Sequence, residues 1–167
     1  MTVGVCDNSR VDVYLVRHGI AAPRGSRLFA NDDRPLTVKG KRKLHEISRA
    51  LTKLVPRPDL ILSSPLIRAR ETAEIVGAAW GFKKRVACNQ ALLPEREAEE
   101  IAEILNRHKS KKDIVLVGHE PNRSAVACWL LRSEHGSLER KKGSVCRITV
   151  NGTRNRPSGQ LRWLLTP

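Results

Sequence analysis

Two histidines stand where apolar runs stop. The stretch V-D-V-Y-L-V-R-H-G, Val11 to Gly19, is β-branched and apolar like a buried strand, yet it ends on Arg17, His18 and Gly19, which a strand core has no use for. D-I-V-L-V-G-H-E, Asp113 to Glu120, repeats the form and ends on His119. Between them D-L-I-L, Asp59 to Leu62, runs into Ser63-Ser64-Pro65, with Arg68 one turn further on. Each histidine alone is explained by a loop residue making a backbone hydrogen bond; together with two arginines they describe a site. A neutral imidazole attacks phosphorus through one ring nitrogen when a carbonyl or carboxylate holds the other N–H, and guanidinium forks match phosphate oxygens in pairs. The set suits phosphoryl transfer through a histidine.

The elements that must position these residues follow from the patterning. Residues 1–10 lack periodicity and read as a tail, leaving 11–167 as one domain. Ile20 to Pro35 is a loop, and from Thr37 the spacing of Leu44, Ile47, Leu51 and Leu54 predicts a helix that Pro56 and Pro58 terminate. Ser64 as N-cap and Pro65 at the first position predict a helix to about Trp80, stopped by Gly81. Arg68 at its start opposes the helix dipole unless an anion sits there. Val86 to Cys88 reads as a short strand, Glu95 to His108 as a helix, Asp113 to Val117 as a strand, and Pro121-Asn122 as the start of another helix. His135 falls in a loop, and His45 and His108 read as surface residues. Val145 to Val150 and Leu161 to Leu165 have no helix between them and predict an antiparallel pair. The fold class is therefore α/β, a three-layer α/β/α sandwich with a mostly parallel sheet and an antiparallel C-terminal extension. In such sheets ligands sit outside the carboxyl ends of the strands, where His18, Ser64 and His119 all fall.

Composition narrows the partners. With 31 Lys and Arg against 17 Asp and Glu, the chain carries +14, a field that favours anions. Aromatic residues make up only 4%, few platforms for stacking bases, so nucleic acid is disfavoured against a phosphorylated molecule or phosphoprotein. The basic segments Lys39 to Lys43, Arg107 to Lys112 and Arg140 to Lys142 read as solvated faces and loops. The four cysteines are scattered, with no metal-ligand spacing, and suit reduced thiols in a cytoplasmic protein. No signal peptide or membrane-spanning run is expected. A metal site on the two histidines would need Glu120 as third ligand, beside a proline at a helix start, so no metal and no organic cofactor are expected.

Three blocks, Arg17-His18-Gly19, Arg68-Ala69-x-x-Thr72 and Gly118-His119-Glu120-Pro121, resemble the histidine phosphatase superfamily, with its phosphoglycerate mutase-like fold. The segment Arg34-Pro-Leu-Thr-x-x-Gly40 and the S-P-x-x-R-A form at Ser64 to Ala69 are similar to its SixA-type phosphohistidine phosphatase branch. The resemblance spans about Val11 to Val126 with the blocks in order. It implies that His18 is a nucleophile that becomes phosphorylated and that Arg17 and Arg68 clamp the phosphoryl oxygens. His119 would donate to the charge of the transition state, and Arg34 and Gly19 would contact substrate. Many members of the superfamily supply a carboxylic acid after the third strand. Here that segment is Q-A-L-L-P-E-R-E, and Glu95 or Glu97 fills the role only if the loop turns inward; the helix dipole otherwise explains both. A leaving imidazole carries its own proton, so a phosphohistidine substrate needs no strong acid. The resemblance thus implies a phosphatase acting on a histidine-phosphorylated phosphotransfer protein; separately, the chain is expected to be a cytoplasmic monomer. A general small-molecule or sugar phosphatase is the second reading, and a non-catalytic basic module that binds phosphate or nucleic acid is the third. A mutase would need a lid, and no insertion provides one.

Overall fold

The computed structural model describes residues 10–25, 29, 33–82, 86–133, 138, 140–152 and 157–167. The expected tail, apart from Arg10, His135 and most of the loop before Ser158 lie outside the described residues. β1 (Arg10–Arg17) is central in a sheet with β2 (Leu60–Ser63), β3 (Ala87–Cys88), β4 (Asp113–Gly118), β5 (Val145–Asn151) and β6 (Ser158–Leu165). The order is β3-β2-β4-β1-β5-β6. β1, β2, β3 and β4 run parallel, while β5 and β6 add the antiparallel extension.

Successive residues of a strand point to opposite faces, and β1 is apolar on both. Val11, Val13 and Leu15 join the core under α3 (Glu100–Arg107) and α4 (Asn122–Leu131), with Ile101, Leu105, Val126 and Leu130. Tyr14 and Val16 join the core under α1 (Val38–Leu54) and α2 (Ile67–Ala79), with Ile47, Leu51, Ala73 and Val76. These are the three layers that the alternation of strands and helices predicts.

The topology makes the crevice. β1 and β4 are adjacent and parallel, with Arg17 opposite Gly118. The chain leaves β1 towards the helices of one face and leaves β4 towards α4 on the other. The two exits diverge, so the carboxyl ends of β1 and β4 are left open between them. His18 and His119, each one residue past its strand, stand at that opening.

β6 begins at Ser158 and not at Leu161, and three helices differ from the sequence reading. Leu54, expected on the apolar face of α1, is 56% exposed, and Val55 takes its place in the core. The helix ends there and Val55 is extended, which swings its side chain inward. α2 starts at Ile67 and not at Pro65, because Leu66 is extended and the Ser64 hydroxyl is engaged elsewhere. The helix expected over Glu95 to His108 is confined to Glu100–Arg107. Ahead of it, a 3-10 turn at Gln90–Leu92, capped by Asn89, plugs Ala91 and Leu92 into the core.

Candidate active site

His18 is nearly buried at the end of β1, and its backbone is pinned from both sides. The His18 N–H donates to Gly118 O on β4 at 3.0 Å, and the Gly143 N–H reaches the carbonyls of Arg17 and His18 at 3.2 and 3.1 Å. Arg17 N–H donates to Ser144 O at 3.0 Å. The imidazole Nδ1 lies 2.7 Å from Gly19 O. A carbonyl only accepts, so Nδ1 carries the proton and Nε2 holds the lone pair. Burial pushes the His18 pKa down to about 4, with the charges of Arg68, Arg17 and Lys142 adding to the effect against the Gly19 hydrogen bond. The ring is thus neutral at pH 7, with one nitrogen free to attack.

His119 follows β4 directly, its ring centroid 5.0 Å from that of His18. Its Nε2 is hydrogen-bonded to Ser64 Oγ at 2.8 Å, and Leu66 N–H donates to the same oxygen at 3.4 Å. Ser64, read from sequence as a helix cap, therefore orients the second histidine. Arg68 is 1% exposed in the first turn of α2, close enough to His18 for its charge to act on the imidazole. The register of α2 against the site is set by Thr72. Its hydroxyl accepts from Gly19 N–H at 3.1 Å and donates to Arg68 O at 2.7 Å, which gives the R-A-x-x-T block its physical meaning.

A cavity of about 270 Å³ opens in front of His18, lined by Arg17, Arg24, Arg34, Glu120 and Lys142 and by the Ala21–Pro23 turn. Arg17, His18 and Arg34, expected at the site, share it; Arg68 and His119 are buried and do not line it. Arg34 also donates through Nη1 to Ala22 O at 2.7 Å, holding the turn that forms one wall. Glu95 and Glu97 are exposed and do not line the cavity, because the segment before α3 turns Ala91 and Leu92 inward instead. Gly19, expected to touch substrate, has its N–H on Thr72 and its carbonyl on His18. A Cβ there would come within 2.6 Å of Leu44 Cδ1, so this glycine serves the packing of α1.

Other parts of the recognised segments prove architectural too. Thr37 Oγ1 accepts from Gly40 N–H at 3.0 Å, capping α1, and the Thr37 N–H donates to Ile20 O at 2.9 Å. A Cβ on Gly40 would lie 2.2 Å from Ile20 O, so only glycine allows the helix to dock on the loop after β1. A Cβ on Gly118 would lie 2.9 Å from Arg123 Nε and 3.1 Å from Leu92 O.

The sequence reading missed several residues. Glu120, weighed only as a metal ligand, is the carboxylate among the cavity's lining residues; its Oε2 accepts from Ser124 N–H at 3.1 Å. Among the described residues, no group of three His, Cys, Asp or Glu is arranged to hold a metal. Arg140, taken as part of a solvated basic loop, is buried. Its Nη2 donates to Leu15 O, its Nη1 lies 3.9 Å from Glu120 Oε1, and its carbonyl accepts from Arg17 Nη1. Arg123 is also buried, donates to Asn122 Oδ1, and is pushed down to about 9 by burial and by Arg140. Charge alone did not separate these two from surface arginines; the apolar positions around Arg123 were the available signal.

Comparison with known proteins points to one family and one fold. The model of the histidine phosphatase superfamily (branch 1) matches residues 13–93. An uncharacterized protein, SYNPCC7002_A2622 of Picosynechococcus sp., is 40% identical over 116 residues, covering 67% of this chain and 68% of that protein. A protein named "Probable phosphoglycerate mutase GpmB" from Escherichia coli is 33% identical over 99 residues, 56% of this chain and 45% of its own length. This chain thus spans under half of that relative. Among solved structures, the protein histidine phosphatase SixA complexed with tungstate superposes with a TM-score of 0.83 at 21% identity, covering 94% of this chain and 97% of that one. The likeness to SixA is one of fold. Among the described residues, no helix is long and apolar enough to cross a membrane.

Proposed function

The chain belongs to the histidine phosphatase superfamily, and from that membership we propose that it is a phosphatase whose His18 Nε2 takes the phosphoryl group, with protein phosphohistidine as substrate. One observation carries the reading: the Nδ1–H of His18 is held by Gly19 O while the ring stays neutral, which leaves a nucleophilic lone pair at the mouth of a cationic cavity. In the first step Nε2 attacks phosphorus and the bond to the leaving nitrogen breaks, its electron pair going to the departing imidazole. Arg17, at the cavity, and Arg68, beside His18, offset the charge on the phosphoryl oxygens. His119, fixed by Ser64, donates to the oxygen charge that grows in the transition state. Water then attacks the phosphorylated His18, the P–N bond breaks, and inorganic phosphate leaves with His18 restored.

Support for the phosphohistidine substrate comes from the leaving group. Neither Glu95 nor Glu97 lines the cavity, and an imidazole leaves without the strong general acid that an alkoxide requires. The SixA likeness accords with such a substrate, a histidine-phosphorylated phosphotransfer protein in a signalling relay. A second reading, hydrolysis of a small phosphomonoester, is favoured by the one carboxylate that does line the cavity, Glu120, and by the mutase-named relative.

The test is to incubate the full chain, wild type and His18→Ala, with a phosphorylated histidine phosphotransfer domain, phosphoserine peptides and sugar phosphates. Release of phosphate from the phosphotransfer domain by the wild type alone is expected, with label trapped on His18 after acid-free quenching. Cleavage of sugar phosphates only would move the assignment to the second reading. No cleavage and no label on His18 would end the phosphatase reading.

A further inference from the structure

The cavity holds more positive charge than a single phosphoryl group requires. Four cations line it, Arg17, Arg24, Arg34 and Lys142, against one carboxylate, Glu120. Arg17 belongs to the phosphoryl end beside His18, and Arg34 is engaged with the Ala22 carbonyl. Arg24 and Lys142 have neither duty. Among the described residues, carboxylates pair with Lys41, Arg96, Arg107, Arg140 and Arg147, and none pairs with Arg24 or Lys142. Exposed cations ordinarily cover a solvated face, and position separates these two from that case.

Both sit on backbone that is tied to the reaction centre. Lys142 immediately precedes Gly143, whose N–H bonds the carbonyls of Arg17 and His18, and Gly143 takes a positive φ of 84° that turns the segment over the strand end. Lys142 and His18 line the same cavity, so the ammonium shares it with the nucleophile. Arg24 ends the turn Ala22-Pro23-Arg24. That turn is anchored by Ala22 N–H to Pro35 O at 2.9 Å, by Arg34 Nη1 to Ala22 O, and by the Ala21–Leu36 bridge. Two separate segments thus deliver an ammonium and a guanidinium to the same cavity, one from each end of the chain. A substrate whose phosphoryl group reaches His18 shares that cavity with both cations.

We propose that Arg24 and Lys142 form a second anion subsite, so that the preferred substrate carries a carboxylate or second phosphate close to the phosphoryl group that is removed. The inference rests on the phosphatase reading for the meaning of "substrate", but the subsite itself is a matter of binding. The anion has two sources with the same chemistry, an acidic residue flanking a phosphohistidine or a carboxylate on a small phosphate ester.

The test uses non-hydrolysable ligands, so that it does not depend on turnover. Calorimetric Kd values for phenylphosphonate and 3-carboxyphenylphosphonate are compared in the wild type, Arg24→Met, Lys142→Met and the double variant, with Lys39→Met on the exposed face of α1 as control. The carboxylated ligand should bind the wild type about five- to tenfold more tightly at low salt, the size expected for one or two partly exposed ion pairs. That ratio should fall within about twofold in the double variant and persist in Lys39→Met. Equal affinities in the wild type, binding of neither ligand, or a ratio that survives the double variant would overturn the subsite. Peptides with phosphohistidine between acidic or neutral neighbours, and phenyl phosphate against its 3-carboxy analogue, then assign the source. If those substrates are not turned over while the phosphonate ratio holds, the subsite stands and the phosphatase reading falls.

Discussion

The tautomer and burial of His18 carry a consequence for folding that can be measured without any substrate. The folded imidazole is pushed down to about 4 from 6.5, by burial first and then by Arg68, Arg17 and Lys142. In the unfolded chain the same group returns to the ordinary value. Between those two values the unfolded state binds a proton that the folded state refuses, so stability rises with pH through this window and is lost as pH falls from above 6.5 towards 4. The full difference corresponds to about 3 kcal/mol, and at pH 5 about 2 kcal/mol of it should be gone. Other groups titrate in the same range, so the quantity of interest is a difference between proteins. Urea unfolding of wild type and His18→Gln at pH 7.5 and pH 5.0 isolates it. The wild type should lose about 2 kcal/mol more than the variant over that interval. Equal losses would mean that His18 is not held neutral by the fold. An imidazole titration near 6.5 by NMR would then remove the basis for its neutral, nucleophilic state.

Three further outcomes test individual contacts. Arg68→Ala should lower phosphate release about 10²- to 10³-fold, as expected for removal of a buried charge that acts on the transition state. It should also raise the His18 pKa measured by NMR; an unmoved pKa would show that Arg68 does not act on the imidazole. Ser64→Ala takes away the partner of His119 Nε2 and should cost about 1–3 kcal/mol in urea unfolding, a loss that Ser64→Thr should restore in part. Gly40→Ala reverses the usual rule for helices, where alanine gains about 1 kcal/mol over glycine. The clash with Ile20 O should instead destabilise by about 2 kcal/mol or more and lower Tm, and an unchanged Tm would refute the close docking of α1 on the loop after β1.

The local signals in the chain were sufficient for the layers and for the strand ends. Period-two and unbroken apolar runs told strand from helix. Polar residues at the ends of Val11 to Val16 and Asp113 to Val117 marked His18 and His119, because a strand core excludes such types unless something else requires them. What the tertiary structure decided was every relation that depends on where segments meet. The neutral state of His18 comes from burial and from Gly19 O; the setting of α2 comes from a hydroxyl of Thr72 that reaches across to β1's end. The exclusion of Glu95 and Glu97 follows from the inward turn of Ala91 and Leu92, and the burial of Arg140 from its hold on Leu15 O. Hydrophobic periodicity is a property of one segment and can be read along it. Burial, hydrogen-bond partners and shared cavities are properties of pairs distant in the chain, as with Lys142 and His18, and they exist only once the chain has closed on itself.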